Sequence, residues 1–254
     1  MVRGKQMAIN SFKRYEKKFL LTKEQYNELI PLLLEYMELD EFCKKNGDYS
    51  IYNIYYDTEN NDVIRHSINK PYYKEKLRLR SYNQSVTLDD KVFLELKKKI
   101  NGIVTKRRVS LTLKEAYDFL YCSKKPQGTD YVNSQVINEI NYYLNKNNVY
   151  PKVYITYTRN AFFAKDNRDF RLTFDYKILT RRDDLSLESK SYGNDILGEN
   201  RYLMEVKILG SIPVWFTKIL SDLKIYNTHF SKYGNEYMNY CLNKENIYTL
   251  RGAN

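Results

Sequence analysis

Residues 73–82 read YKEKLRLRSY, and residues 93–108 read FLELKKKINGIVTKRR. In an extended strand successive side chains point to opposite faces. On that period Lys74, Lys76, Arg78 and Arg80 share one face, while Leu77 and Leu79 take the other beside Glu75. In the second stretch Phe93, Glu95, Lys97 and Lys99 fall together. Asn101-Gly102 is the dipeptide that a two-residue hairpin favours. The return strand IVTKRRVSL then sets Lys106 and Arg108 on one face, opposite Arg107 and Val109.

The same parity recurs outward from this hairpin. Arg14, Glu16 and Lys18 share a face in the strand-like run 12–20, as do Arg171, Thr173 and Asp175, and Leu203, Glu205 and Lys207. Further strands are expected over 49–56, over KVYITYTRNAFF from Lys152, over RDFRLTFDYKI from Arg168 and over RYLMEVKIL from Arg201. Helices are expected from Thr22, over 112–123, 131–146, 213–223 and 230–243, and in a polar stretch between Asp57 and Lys70. Thr22 with Gln25 has the form of a capping box, and Pro31 inside the helix that follows is expected to kink it. Residues 180–199 read as a loop with at most one short strand. The fold class is α+β, one antiparallel domain over 12–243, with a flexible leader at 1–11 and a tail at 244–254.

The chain has 254 residues, with 43% hydrophobic and 29% charged, enough apolar material for a packed core. Its formal net charge of +11 calls for an anionic partner: nucleic acid, an acidic membrane surface or a phosphate-rich small molecule. The apolar run Ile30–Leu34 is far too short to span a bilayer, and MVRGKQMAIN lacks the apolar core of a secretory signal. Cys43, Cys122 and Cys241 form neither a disulfide framework nor a metal spacing, and His66 and His229 suggest no zinc site. A reducing, cytoplasmic setting is expected, with weak attachment to the cytoplasmic membrane face open to so basic a surface. Tyr occurs 26 times. AT-rich coding explains that abundance better than a stacking role does.

Several strands thus carry a charged face that is mostly basic but contains carboxylates. Like charges side by side across a sheet destabilise it. A basic face turned to water relieves this, and so does an enclosed channel filled by a polyanion. The embedded Glu16, Glu95 and Glu205 favour the channel, because a phosphate site using a hard divalent cation needs oxygen ligands. The residues alone leave both arrangements open. The lysine run 97–99 and the basic run 106–108 have the look of a nucleic-acid patch, but alternation on strands turns their members apart. No RNP-like run is present, and no specific nucleic acid is expected.

RYEKKFLL at 14–21, IYYDT at 54–58, YKEKLRLRSY at 73–82, FLELKKKINGIVTKRR at 93–108, YTRNAF at 157–162, RLTFD at 171–175, LMEVKI at 203–208 and FSKY at 230–233 together resemble one family. It is the catalytic domain of the vacuolar transporter chaperone (VTC) type, the polyphosphate polymerase branch of the triphosphate tunnel metalloenzyme, or CYTH-like, superfamily. The resemblance implies an antiparallel barrel of about eight strands that forms a tunnel with flanking helices. It implies transfer of the ATP γ-phosphate to a growing polyphosphate chain, with orthophosphate or pyrophosphate as primer and Mn²⁺ or Mg²⁺ as cofactor. A triphosphatase, or a module that only binds polyphosphate or inositol phosphate, is the alternative within the same superfamily. A membrane protein acting in trans would be a compatible partner.

Carried over by motif, Lys18, Arg78, Arg80, Lys97, Arg159 and Arg171 are the expected catalytic cations. Lys76, Lys106, Arg108, Lys207 and Lys232 are the expected substrate-binding residues, and Arg65 is the candidate for a further arginine that the resemblance implies near the helix after the second strand, one that no motif places. Glu205, Glu95 and Glu16 are the expected metal ligands. Arg14 stands where the tunnel triphosphatases begin ExExK. A base in place of that acid suits the polymerase branch better than the hydrolases. Asp175 is expected either to neighbour the metal or to pair with Arg171, Trp215 to pack a helix, and Tyr154, Tyr157 and Tyr202 to line the wall.

Overall fold

The structure is a computed structural model and describes residues 14–127 and 130–251. The expected leader at 1–11 lies outside the described residues. The chain opens with strand β1 (Arg14–Thr22) and helix α1 (Lys23–Tyr36). The Thr22 hydroxyl accepts from the Gln25 amide, and the Gln25 side chain accepts from the Thr22 amide, which is the capping box read from the sequence. Pro31 does not interrupt α1. Its missing N–H costs one bond of the ladder, while Leu29 and Leu33, both fully buried, hold the helix on the sheet.

Strand β2 (Met37–Leu39) and helix α2 (Glu41–Asn46) follow, in a stretch where alternation gives no signal. Then come β3 (Tyr49–Asp57), α3 (Asp62–Ile68), β4 (Tyr73–Ser81), β5 (Lys91–Ile100) and β6 (Ile103–Thr112). The β5–β6 turn is Asn101 and Gly102, at φ 46° and 82°. Both lie in the left-handed region that a type I′ turn requires. Helices α4 (Leu113–Cys122) and α5 (Tyr131–Lys146) lead to the long strands β7 (Tyr150–Ala164) and β8 (Arg171–Arg181). The chain finishes with β9 (Asn194–Asp195), β10 (Arg201–Leu209), α6 (Val214–Asp222), β11 (Asn227–Thr228) and α7 (Lys232–Arg251).

All strand pairs are antiparallel. The sheet runs β11-β1-β10-β8-β7-β3-β4-β5-β6, with β2 on β7 and β9 on β8. It is therefore open by hydrogen bonding among the described residues: the expected antiparallel α+β architecture is found, without hydrogen-bonded closure into a barrel. It is also strongly curved. Six strand-to-strand steps separate β1 from β5, roughly 29 Å across a flat sheet at ~4.8 Å per step. Yet Lys97 Nζ on β5 lies 3.6 Å from Glu16 Oε2 on β1. One face is thus concave, and side chains from distant strands meet across it.

The convex face carries two apolar layers. Leu77, Leu79, Leu94, Leu96 and Val109 pack under Phe119 of α4 and Ile137 and Ile140 of α5. Leu172, Phe174, Met204 and Val206 pack under Leu29 and Leu33 of α1 and Phe216 of α6. Trp215 stacks on Tyr36 at 4.3 Å, in helix packing as expected. Burying each such aliphatic side chain stabilises the fold by about 1.5–3 kcal/mol. A third layer lies elsewhere. Ile51, Val153, Ile155 and Leu203 meet Tyr233 of α7 and Ile64 of α3. Asp57 ties these two helices together: its carboxylate accepts from the amides of Val63 and Ile64 and from the Tyr233 hydroxyl. Residues of α7 therefore cover part of the concave face, and the charged remainder forms the site. Among the described residues no helix is long and apolar enough to cross a membrane.

Candidate functional site

Register builds the first half of the site. Glu95 on β5 stands between Arg78 on β4 and Arg108 on β6. Arg78 Nε donates to Glu95 Oε2 at 2.6 Å, and Arg108 Nε donates to Oε1. Lys106 Nζ lies 3.5 Å and Arg80 Nε 3.9 Å from the same carboxylate. Glu95 is wholly buried. Burial alone would raise its pKa, but the four cations hold it far below the usual carboxylate range. Neighbouring polar groups fix the arginines. Arg78 donates to the Tyr55 hydroxyl at 3.0 Å, and Arg80 donates to Asn53 Oδ1 at 2.8 Å and to the Tyr157 hydroxyl at 3.0 Å.

The second half is centred on Asp175 and Glu205. Arg159 holds Asp175 with two bonds of 2.6 and 2.7 Å. Lys232, the first residue of α7, reaches in to pair with Asp175 and lies 3.3 Å from Glu205. Lys18 Nζ lies 3.0 Å from Glu205 and 3.4 Å from Glu16. Both Asp175 and Glu205 are buried, yet their cationic neighbours hold their carboxyl groups below the ordinary range. The Glu205 and Glu16 carboxylates in turn raise Lys18 against the effect of its burial.

Two other cations on this face are less fully compensated by the carboxylates near them. Burial, with the repulsion of Lys74, Lys97 and Lys18, lowers the Lys76 ammonium to about 7. Burial and Arg159 lower Lys207 to about 8. A part-buried cation with too little negative charge around it is costly, so the face is suited to receive anionic oxygen.

Most of the expected residues meet here. Lys18, Arg78, Arg80, Lys97 and Arg159 are joined by Lys76, Lys106, Arg108, Lys207 and Lys232. Arg171 lies at the rim: its guanidinium sits 3.7 Å from Asp40 and over the Phe163 ring, and its buried Nε has no partner. Arg65 is not brought in. Its side chain is 60% exposed on α3, where it pairs with Asp62. Asp175 pairs with Arg159 and Lys232, not with Arg171. Tyr154 and Tyr202 are wall residues, but Tyr157 faces the site and holds Arg80. Asn53 and Tyr55 were not among the expected site residues, although both fall on the 51, 53, 55 face of β3. Nor was Arg182, which clamps Glu236 of α7 with bonds of 2.6 and 2.8 Å and so fixes the helix that carries Lys232.

For a metal, the three expected carboxylates differ. Both oxygens of Glu95 are covered by guanidinium groups, so Glu95 does not fit. Glu16 and Glu205 converge on one lysine ammonium, a smaller and more mobile cation. Two hard carboxylates suit Mg²⁺ or Mn²⁺, which take much of their shell from water and substrate phosphate. Among the described residues no cluster of three or more acidic, His or Cys side chains forms a complete metal cage.

Known proteins bear on this arrangement. Among curated proteins nothing matches. A Bacillus halodurans protein named as a candidate adenylate cyclase is similar in structure, with 17% identity, a TM-score of 0.49, and coverage of 86% of this chain and 95% of that one. A Vibrio parahaemolyticus protein named in the same way has 11% identity and a TM-score of 0.44, covering 89% and 98%. The PH1819 protein of Pyrococcus horikoshii OT3 has 14% identity and a TM-score of 0.44, also covering 89% and 98%. The family assignment does not rest on these likenesses. It rests on a family model, the VTC domain, that matches residues 13–240, and the chain therefore belongs to the VTC domain family.

Proposed function

We propose that the concave face is a phosphate channel in which this chain transfers the γ-phosphate of ATP to a growing polyphosphate chain. One observation carries the reading. Basic side chains from β1, β4, β5, β6, β7, β10 and α7 converge on one face, and Lys76 among them is part-buried beside Lys74, Lys97 and Lys18, whose repulsion and its own burial outweigh the attraction of Asp57. The membership of the VTC domain family supports it.

Phosphoryl transfer needs positioning and positive charge more than covalent chemistry. Arg78, Arg80 and Arg159 are held by neighbouring side chains and present planar donors for bidentate phosphate contact. Lys18 and Lys232 supply point charge beside them. A terminal phosphate oxygen of the bound chain attacks the γ-phosphorus, the bond to the β–γ bridging oxygen breaks, and ADP leaves with that electron pair. The attacking oxygen is already anionic, so no strong base is required. Nor does Cys43 offer a nucleophile, since burial pushes its thiol up to about 12. A divalent ion held by Glu16 and Glu205 would neutralise charge on the phosphate oxygens.

The test is to incubate the protein with ATP labelled at the γ-phosphate, together with Mn²⁺ or Mg²⁺. The expected result is label in a ladder of chains, with ADP as co-product. Label released only as orthophosphate replaces this reading with a triphosphatase. No ATP consumption with either ion leaves a polyphosphate-binding module instead.

A further inference from the structure

The tyrosines have a second use. Strand parity places Tyr49 with Asn53 and Tyr55, Tyr82 with Arg78 and Arg80, and Phe93 with Glu95. All three rings therefore share the cationic face and lie at one end of it. Phe42 of α2 joins them. The ring centroids form a connected arc: Phe42 to Tyr49 at 6.0 Å, Tyr49 to Tyr82 at 6.2 Å, and Tyr82 to Phe93 at 5.6 Å. The rings are tilted at 54° to 73° to one another, so they do not seal their own faces. Phe42 is 70% and Tyr82 40% exposed. Large aromatic side chains left this open at a concave rim mark a binding surface more than a packing one.

The arc is continuous with the phosphate-binding cations. The Arg108 guanidinium lies 4.3 Å from the Phe93 centroid, donates to the Tyr82 hydroxyl at 2.9 Å and binds Glu95. Arg80 lies over Tyr82. Tyr49 is opposite Arg159 in the β3–β7 register. A ligand whose phosphates meet these arginines therefore has its other end over the rings. The far ends of the same strands differ: there Lys74 pairs in register with Lys99, and Lys76 with Lys97.

We propose that the Phe42–Tyr49–Tyr82–Phe93 arc is a stacking platform for the nucleobase of a nucleoside triphosphate, which gives the concave face a direction. The base rests on the rings, the phosphates point inward past Arg108 and Arg80, and the phosphate chain extends toward Lys76 and Lys97. This rests on the nucleotide reading above and adds where the nucleoside sits.

The test compares ATP and inorganic tripolyphosphate binding to the natural protein, Phe42→Ala and Phe42→Trp. Phe42 is exposed, so its replacement leaves the core intact. A stacked base predicts about tenfold weaker ATP binding for Phe42→Ala, with tripolyphosphate unchanged, and ATP binding by Phe42→Trp at least as tight as the natural protein's. Unchanged ATP affinity in Phe42→Ala, or equal loss for both ligands, overturns the platform while leaving the phosphate site standing. Failure of the natural protein to bind either ligand overturns the proposed function and the platform together.

Discussion

Lys232 and Asp175, 57 residues apart in sequence, form an ion pair in which both side chains are buried. The pair ties the start of α7 to β8 in the middle of the site. Asp175 also holds Arg159, so one carboxylate balances two buried cations. Asp175→Asn leaves both without it. Breaking a buried pair by removing one partner costs about 3–5 kcal/mol. Thermal unfolding should show a clear drop for Asp175→Asn, partly reversed by tripolyphosphate, which supplies anionic oxygen to the same cations. A variant as stable as the natural protein contradicts this role.

Lys76 gives a proton-linked signature. Its free pKa, lowered to about 7, lies below the ordinary lysine value of 10.5 because of burial and neighbouring lysines. A bound polyanion favours the charged form, so the pKa rises in the complex and binding takes up protons. At pH 8 roughly one proton per bound tripolyphosphate is expected, falling toward none at pH 6, where Lys76 is already charged. Calorimetry in buffers of different ionisation enthalpy measures this, and Lys76→Met should remove the larger share of it, the remainder coming from Lys207, which is lowered to about 8. Stability follows the same sign. Between pH 7 and 10.5 the native state binds fewer protons than the unfolded chain, so the cost of burying Lys76 is relieved as pH rises through that window.

Arg78 and Arg65 are both arginines expected at the site, and the structure separates them. Arg78 grips Glu95 and Tyr55, whereas Arg65 points outward from α3. Arg78→Gln should weaken tripolyphosphate binding by at least tenfold, of the order of one lost charge-assisted contact. Arg65→Gln should stay within about twofold, as for an exposed surface change. Equal effects in a direct binding titration would contradict the assignment.

The carboxylates should divide as well. Glu205→Gln is expected to raise the Mn²⁺ concentration needed for half-maximal activity by about tenfold or more, on top of a lower melting temperature from the loss of the buried partner of Lys18 and Lys232. Glu95→Gln leaves Arg78 and Arg108 without their buried counter-ion, so it is expected to lower the melting temperature at any metal concentration. Metal titration beside thermal melts reads both.

The sequence carried much of this arrangement, because a period of two is a strong signal wherever one face is apolar. Leu77, Leu79, Leu94 and Leu96 declare the convex face, and the charged members of β4, β5 and β6 fall opposite by necessity. The Asn101-Gly102 turn and the Thr22 capping box are local chemistry and were equally legible. What alternation cannot supply is which distant strands meet. Nothing local says that Lys97 reaches Glu16 across the sheet, or that Lys232 on a helix completes a pair begun on β8. No motif places Arg65, the candidate for an arginine expected near α3, and its side chain lies exposed on that helix beside Asp62. Asp175 was matched to Arg171 on its own strand, whereas the β7–β8 register set Arg159 beside it. The aromatic arc was hidden for the same reason: its four rings come from α2, β3, β5 and the residue just after β4.

The most direct measurement of the central claim is a crystal structure of the protein grown with tripolyphosphate. The account predicts a phosphate chain on the concave face, with its oxygens in hydrogen-bond contact with Arg78, Arg80, Arg159 and Lys232. A chain bound instead on the convex surface or along exposed lysines, with the concave face unchanged, would contradict it.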